Sequence, residues 1–182
     1  MAKCAIEQDA PPPGMHGATR KRKQSDYGMQ LSEKQRLRRS YGLQEVPFHL
    51  IFERAQRRHG ITGEILLQLL EMRLDNLVYR FGFAPSRRAA RQFVRHGHVQ
   101  VDGRKASAPS MVLKAGSVVG VRGRNEIKEY VKLCMDKAGA RGTSPWLSVD
   151  REKISGEVIR VPSRDEIAPI VNEQLIVELY SK

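Results

Sequence analysis

The chain has 182 residues and a formal net charge of +12, from 32 lysines and arginines against 20 aspartates and glutamates. Hydrophobic residues make up 40% and aromatic residues 6% of the chain, which suits one or two small domains with modest cores. No apolar run approaches the roughly 18 residues that a membrane-spanning helix needs. A positive charge of this size points to a nucleic acid or to an anionic membrane, and the lack of a membrane-spanning run favours the nucleic acid.

The N-terminal segment, residues 1–30, is predicted to be an extended basic arm. It contains PPPG at 11–14, which cannot lie inside a helix. Basic runs of this kind are either solubilising tails or arms that become ordered on RNA. The arm residues expected to bind the anionic partner are Arg20, Lys21, Arg22 and Lys23.

Hydrophobic periodicity predicts three helices in the next segment, at 32–41, 47–59 and 64–81. The first opens on Ser32, which begins a capping-box pattern, and the third has a leucine-rich apolar face. Aromatic residues Tyr27 and Tyr41 suit either base stacking or the core. The basic residues of the first helix expected to bind the anionic partner are Lys34, Arg36, Arg38 and Arg39.

The stretch SRRAARQFVRHGHVQV, residues 86–101, combines a basic helix with the start of a strand. Ser86 is a good N-cap and Gly97 suits the left-handed position after the last helical turn. Arginines recur along one stripe of this helix, and their mutual repulsion favours an anionic partner over a merely solvated face. The residues expected to bind this anionic partner are Arg87, Arg88, Arg91, Gln92, Arg95 and His98.

Short strands and one further helix are predicted for the rest of the chain. Alternation at 99–101 and the turn signal Asp102-Gly103 predict a hairpin. A strand is expected at 118–121 and a helix around Val131. After a linker at 139–144, the predicted elements are strands near 146–149, 158–161 and 175–180, with a capping box at 163–166.

No catalytic or metal-binding pattern is evident. Cys4 and Cys134 lie far apart and match no disulfide framework or zinc site. The tripeptide Arg73-Leu74-Asp75 resembles the motif that carries the catalytic aspartate of pseudouridine synthases. Asp75, however, falls within an apolar-faced helix, whereas a catalytic aspartate would need an exposed loop. The chain is also too short to hold that catalytic domain in addition to the arginine-rich segment. We therefore predict that the protein is not an enzyme.

The segment 74–121, with DNLVYRFGFAPSRRAARQFVRHGHVQVDG at its centre, resembles the RNA-binding module of small-subunit ribosomal protein four. That module also occurs in pseudouridine synthases, tyrosyl-transfer-RNA synthetase and a heat-shock protein. The flanking segments are similar to the bacterial ribosomal protein itself. These are PPPGMHG at 11–17, SDYGMQLSEKQRLRRSYGL at 25–43, SPWLSVD at 144–150 and VNEQLIVELYSK at 171–182.

The resemblance implies an α+β fold with an insertion. A helical domain at 31–72 would be completed by C-terminal strands within 145–182. A small α/β RNA-binding domain at 73–144, with its core at 74–121, would lie between them. Many bacterial members begin earlier and carry a zinc knuckle of four cysteines. Only the fourth of these has a counterpart in this sequence, which is Cys4. We accordingly expect no metal and no cofactor.

The resemblance also implies a function. Family members bind 16S ribosomal RNA at a helix junction of its five-prime domain and nucleate assembly of the subunit body. They also contact ribosomal protein five, and this interface affects decoding accuracy. The expected partners are thus 16S RNA, ribosomal protein five and other small-subunit proteins. The expected location is a cytoplasmic, bacterial-type ribosome rather than an organellar one. A free RNA-binding regulator is the alternative, but it would not need the C-terminal segment.

Overall fold

The computed structural model describes residues 14–15, 24–139, 142, 144–168 and 171–181. Five helices come first in the described chain, followed by three strands, a helix, two strands and a last helix. The helices are α1 (Asp26–Ser40), α2 (Glu45–Gln56), α3 (Thr62–Glu71), α4 (Leu74–Arg80), α5 (Arg87–Arg95), α6 (Asn125–Ala138) and α7 (Glu173–Tyr180). The strands are β1 (Val99–Val101), β2 (Arg104–Ala106), β3 (Val118–Val121), β4 (Leu147–Asp150) and β5 (Ser155–Val158). A short 3-10 helix occupies Arg164–Glu166. No helix in these ranges is long and apolar enough to cross a membrane.

The first helix begins earlier than the sequence predicted. Ser25 is its N-cap and accepts a hydrogen bond from the amide of Gly28 at 3.2 Å. Asp26 follows in the first turn, where its negative charge favours the positive end of the helix dipole. The predicted start at Ser32 is therefore wrong, because that residue lies inside α1.

The long helix predicted at 64–81 is also wrong, because it is broken between α3 and α4. Arg73 has an extended conformation and forms an isolated bridge with Val112. The amide of Leu74 donates to the carbonyl of Met111 at 2.8 Å. These contacts replace the helical hydrogen bonds at the break and fasten α4 to the loop before β3.

The strands form one antiparallel sheet in the order β2-β1-β3-β5-β4. The predicted hairpin turn is confirmed, because Asp102 and Gly103 have φ values of 48° and 78°, as tight hairpins require. We expected the C-terminal strands to complete the helical domain. Instead β5 pairs with β3, so β4 and β5 extend the sheet of the RNA-binding module. The strand predicted at 158–161 lies earlier, at Ser155–Val158.

Two hydrophobic cores lie on either side of the α3–α4 break. One fills the space between α4, α5, α6 and the sheet. Its fully buried residues include Leu74, Leu77, Val78, Phe83, Ala90, Val94, Val99, Val119, Val131 and Val158. The other lies among α1, α2, α3 and α7, and its fully buried residues are Leu37, Phe48, Ala55, Leu66, Leu70 and Ile176.

The last element is a helix, so the strand predicted at 175–180 is wrong. Asn172 caps α7 by accepting a hydrogen bond from the amide of Gln174 at 3.1 Å. Ile176 and Tyr180 lie one turn apart and face α1, α2 and α3. This helix, rather than the strands, completes the helical core. The overall α+β class with an inserted RNA-binding module is confirmed.

Candidate nucleic-acid interface

The arginine helix α5 is formed by the local signals that predicted it. The hydroxyl of Ser86 accepts a hydrogen bond from the amide of Ala89 at 3.2 Å. Gly97 has a φ of 77° and its amide donates to the carbonyl of Val94 at 2.9 Å, which ends the helix. Ala90 and Val94 are fully buried. The opposite, basic face of α5 is therefore turned away from the core.

Arg87 does not lie on that outer face. Its Nε donates a hydrogen bond to Oδ1 of Asn76 at 2.8 Å. Its guanidinium lies 4.8 Å from the ring centre of Tyr41 and 4.9 Å from that of Tyr79. Tyr41 belongs to the helical core, so Arg87 joins the first turn of α5 to that core.

Arg91 lies between the interior and the solvent. Its Nη1 is 3.3 Å from Oδ2 of Asp75, which also accepts a hydrogen bond from Arg73 at 2.8 Å. Arg73 and Asp75 are both buried. The Arg73-Leu74-Asp75 tripeptide thus forms an internal ion pair, and Asp75 is not an exposed catalytic carboxylate. One buried aspartate instead orients Arg91.

A shallow basic hollow of about 560 Å³ lies on the exposed face of α5. Arg88 and Arg95 are exposed and make no ion pair within the described part of the chain. Uncompensated guanidinium groups on a rigid helix suit phosphate groups, which they can bind bidentately. The residues that line this basic hollow are Arg88, Arg91, Gln92, Arg95 and His96.

His96 also lines the basic hollow, but it was not among the residues predicted to contact RNA. Sequence spacing could have placed it near Gln92, because residues four apart share a helix face. His98, which was predicted, is half-buried, with its ring centre 5.1 Å from that of Phe93 and 6.1 Å from that of His96. The rings of His96 and His98 therefore form an aromatic edge beside the basic hollow.

The predicted basic surface of α1 divides into internal and exposed side chains. Lys34 is buried, and its Nζ lies 2.6 Å from Oε1 of Glu45 and 5.5 Å from the ring centre of Tyr180. Burial would raise the pKa of Glu45, but hydrogen bonds from Lys34 and Tyr180 outweigh it and lower that pKa. Lys34 thus neutralises a half-exposed carboxylate that also accepts a hydrogen bond from Tyr180, and this contact joins α1, α2 and α7.

The other predicted α1 residues are nearer the solvent. Arg38 is half-buried and donates to Gln35 at 2.6 Å, whereas exposed Arg36 pairs with Glu33 at 2.8 Å. Arg39 is exposed and has no ion pair among the described residues. Arg39 is therefore the α1 cation most available to an external anion.

The two tyrosines whose role was left open have different environments. Tyr41 is buried, so it belongs to the core, and its hydroxyl donates to Oε1 of Glu71 at 2.6 Å. Tyr27 is 59% exposed near the start of α1 and remains a candidate for base stacking.

Glu71, at the end of α3, is the centre of a buried polar network. Arg80 donates to it at 2.6 Å and Asn76 at 2.7 Å, in addition to Tyr41. Burial alone would raise the pKa of Glu71, but the hydrogen bond and charge of Arg80 outweigh it and hold that pKa below its usual range. Burial and the adjacent carboxylate raise the pKa of Tyr41. The network connects the α1, α3 and α4 segments beneath α5.

Other predicted features fall outside the described residues. The arm at 20–23 and Cys4 are among them, so their predictions stay untested. Within the ranges that the structure describes, no group of three or more His, Cys, Asp or Glu side chains could hold a metal ion. Cys134 is a free, buried thiol on α6.

The inserted module, the uncompensated arginines and the helical core beside them define an RNA-binding protein. Two family models match consecutive parts of the chain: "Ribosomal protein S4/S9 N-terminal domain" at residues 1–71 and "S4 domain" at 72–119. The chain belongs to the uS4 family of small ribosomal subunit proteins. This membership confirms the resemblance seen in the sequence.

Curated bacterial relatives match nearly the whole chain. "Small ribosomal subunit protein uS4" of Syntrophomonas wolfei is 49% identical over 180 residues, which are 99% of this chain and 86% of the relative. The protein of the same name from Thermus thermophilus is 47% identical over the same shares of the two chains. "Small ribosomal subunit protein uS4A" of Symbiobacterium thermophilum is 52% identical over 181 residues, or 99% of this chain and 86% of the relative. Because the family is structural, the prediction that the chain is not an enzyme is confirmed.

Proposed function

We propose that this protein is a structural constituent of the small ribosomal subunit that binds 16S ribosomal RNA at the helix junction of its five-prime domain. It acts on a cytoplasmic, bacterial-type ribosome. By binding early and directly, it nucleates assembly of the subunit body. With ribosomal protein five it contributes to the accuracy of translation.

The observation that carries the proposal is the basic hollow on α5. Arg88 and Arg95 are exposed there and make no ion pair with any residue that the structure describes, while Arg87 and Arg91 are tied to Asn76 and Asp75 beneath them. The helix is therefore held rigidly with its free cations turned outward. A rigid cationic face matches structured RNA, whose deep and narrow major groove leaves shape and phosphates as the main features to recognise.

A contact with ribosomal protein five has separate support. A groove of about 380 Å³ lies between α3 and α7, and its lining includes Glu64 and Glu178, as well as Glu173, whose carboxylate pairs with Arg164. Acidic side chains repel RNA phosphates but suit the basic segments that are common in RNA-associated proteins. In a chain of net charge +12, this acidic groove favours a protein partner at the C-terminal helix.

Equilibrium binding to the five-prime domain of 16S RNA tests the proposal. An unrelated RNA of equal length is the control, and both are measured at two salt concentrations. We expect tight binding to the five-prime domain and a preference that persists as salt rises, because shape recognition adds to counterion release. Equal binding to both RNAs that collapses with salt would contradict the proposal.

A further inference from the structure

A second hollow adjoins the basic one, between α5 and the first half of α6. It has a volume of about 310 Å³, near the lower end of the range typical for small-molecule sites. Its walls are chiefly apolar and aromatic, with Phe93, Ile127 and Tyr130 among them, while Gln92 and Glu126 supply polar groups. We call it the aromatic hollow.

The aromatic hollow and the basic hollow have two lining residues in common. Gln92 and His96 line both of them. A ligand that enters both must therefore be anionic on one side and flat and largely apolar on the other. A nucleotide has this division, because its phosphate is charged and its base has an apolar face with polar edges.

The chemistry of the aromatic hollow suits a base that is not stacked in a helix. Proteins bind such bases by stacking them on aromatic rings and by hydrogen bonds to their edges. Phe93 and Tyr130 provide rings, and the Gln92 amide and Glu126 carboxylate provide edge partners. Tyr130 is 47% exposed, so much of its surface is open to a stacking partner.

We propose that the aromatic hollow receives one unpaired nucleobase of the RNA strand whose phosphates occupy the basic hollow. This inference rests on the proposed function and adds a base contact to it. An apolar side chain of a partner protein is a poorer occupant, because its backbone would lie against Arg88 and Arg95 without neutralising them.

Substitution at Tyr130 tests the proposal, with binding to the five-prime domain of 16S RNA measured over a range of salt concentrations. Tyr130→Ala removes the ring and is expected to weaken binding about tenfold, as is typical of losing one stacked base. Loss of a stacking contact lowers affinity equally at every salt concentration, whereas loss of a phosphate contact reduces the salt dependence. We therefore expect an unchanged salt slope.

Matched variants exclude other causes. Tyr130→Phe keeps the ring and is expected to bind within about twofold of the unmodified protein. Leu133→Ala removes an apolar side chain that is 60% exposed on the same helix but does not line the aromatic hollow, and we expect no change. Ala89→Leu places a larger side chain in the hollow from α5 and should reproduce the loss if the variant melts like the unmodified protein.

The outcomes separate this proposal from the proposed function. An affinity for the five-prime domain that Tyr130→Ala and Ala89→Leu leave unchanged would overturn the base contact and leave the proposed function standing. That outcome would also be expected if a partner protein occupied the hollow. Absence of any preference in the unmodified protein would overturn both. A reduced salt slope in Tyr130→Ala would overturn the base contact, because it would indicate loss of phosphate contacts.

Discussion

Arg87 Nε donates a hydrogen bond to Oδ1 of Asn76 at 2.8 Å, so a residue of the arginine helix is held by the helix before it. The same guanidinium lies over the rings of Tyr41 and Tyr79. Arg88, the next residue, is exposed. Two adjacent arginines thus have different roles, one in the attachment of α5 and one on its outer face.

This difference predicts opposite effects of two alanine substitutions. Arg87→Ala should lower the free energy of unfolding by roughly 1–3 kcal/mol, because it leaves Asn76 without its donor and removes the ring contacts. Arg88→Ala should leave the melting temperature within about a degree and weaken RNA binding instead. Thermal unfolding and RNA binding of both variants check this. Equal melting temperatures would contradict the structural role of Arg87.

The buried carboxylate of Glu71 predicts a larger effect. Glu71→Gln preserves the shape of the side chain but removes the charge that faces Arg80 and replaces one of the two acceptor oxygens of the network with an amide donor. We expect a loss of roughly 2–4 kcal/mol in the free energy of unfolding, measured by urea denaturation. Glu53→Gln is the matched control, since Glu53 pairs with Arg57 on the surface of α2 and should cost little. A similar small loss in both variants would show that the network is not stabilising.

The packing of Phe81 on the sheet predicts that Gly156 cannot be enlarged. A β-carbon at Gly156 would lie 2.3 Å from the Phe81 ring, which is buried in the module core. Gly156→Ala should therefore destabilise the fold by roughly 1–3 kcal/mol. At Gly120, in the neighbouring strand, an added β-carbon would meet the end of the Gln100 side chain, which can move aside. Gly120→Ala should cost less, and equal losses in chemical denaturation would contradict this packing.

The pair of Arg160 and Glu166 predicts a pH dependence. The Arg160 guanidinium and the amide of Ser163 lower the pKa of Glu166 to about 2. Because this pKa is depressed below the unfolded value of about 4.3, the stabilisation is complete above that value and is lost as the pH falls toward 2. The melting-temperature difference between the unmodified protein and Glu166→Gln should therefore shrink over this range. A difference that stays constant from pH 5 to about pH 2 would contradict the depressed pKa.

Local signals predicted the arginine helix and its turn, but long-range contacts decided the rest. Ser86, Gly97 and Asp102-Gly103 were sufficient to bound α5 and the hairpin, because caps and tight turns depend on neighbouring residues. The break after α3 depends on pairing with the segment around Val112, which no local pattern reveals. The segment 175–180 was interpreted as an alternating strand and contains the β-branched pair Ile176-Val177, whereas packing on α1 and α3 selects a helix.

The same limit applies to the candidate site. Sequence spacing identified the arginine helix and named Arg88, Gln92 and Arg95, which all line the basic hollow. The ring beneath Arg87 belongs to Tyr41, which is far away in the sequence and part of the helical core. Sequence spacing therefore could not distinguish Arg87 from Arg88. It likewise could not show that Lys34 pairs internally with Glu45.

The most direct test of the account is the affinity of the double variant Arg88→Gln and Arg95→Gln for the five-prime domain of 16S RNA. The control neutralises two exposed cations in the β4–β5 turn, Arg151→Gln and Lys153→Gln, for the same change in net charge. With an unchanged melting temperature, the α5 variant should bind at least tenfold more weakly, and its salt slope should fall by about 0.7–0.9 for each lost phosphate contact. Equal affinities for the two double variants would contradict the central claim that the exposed face of α5 binds the RNA.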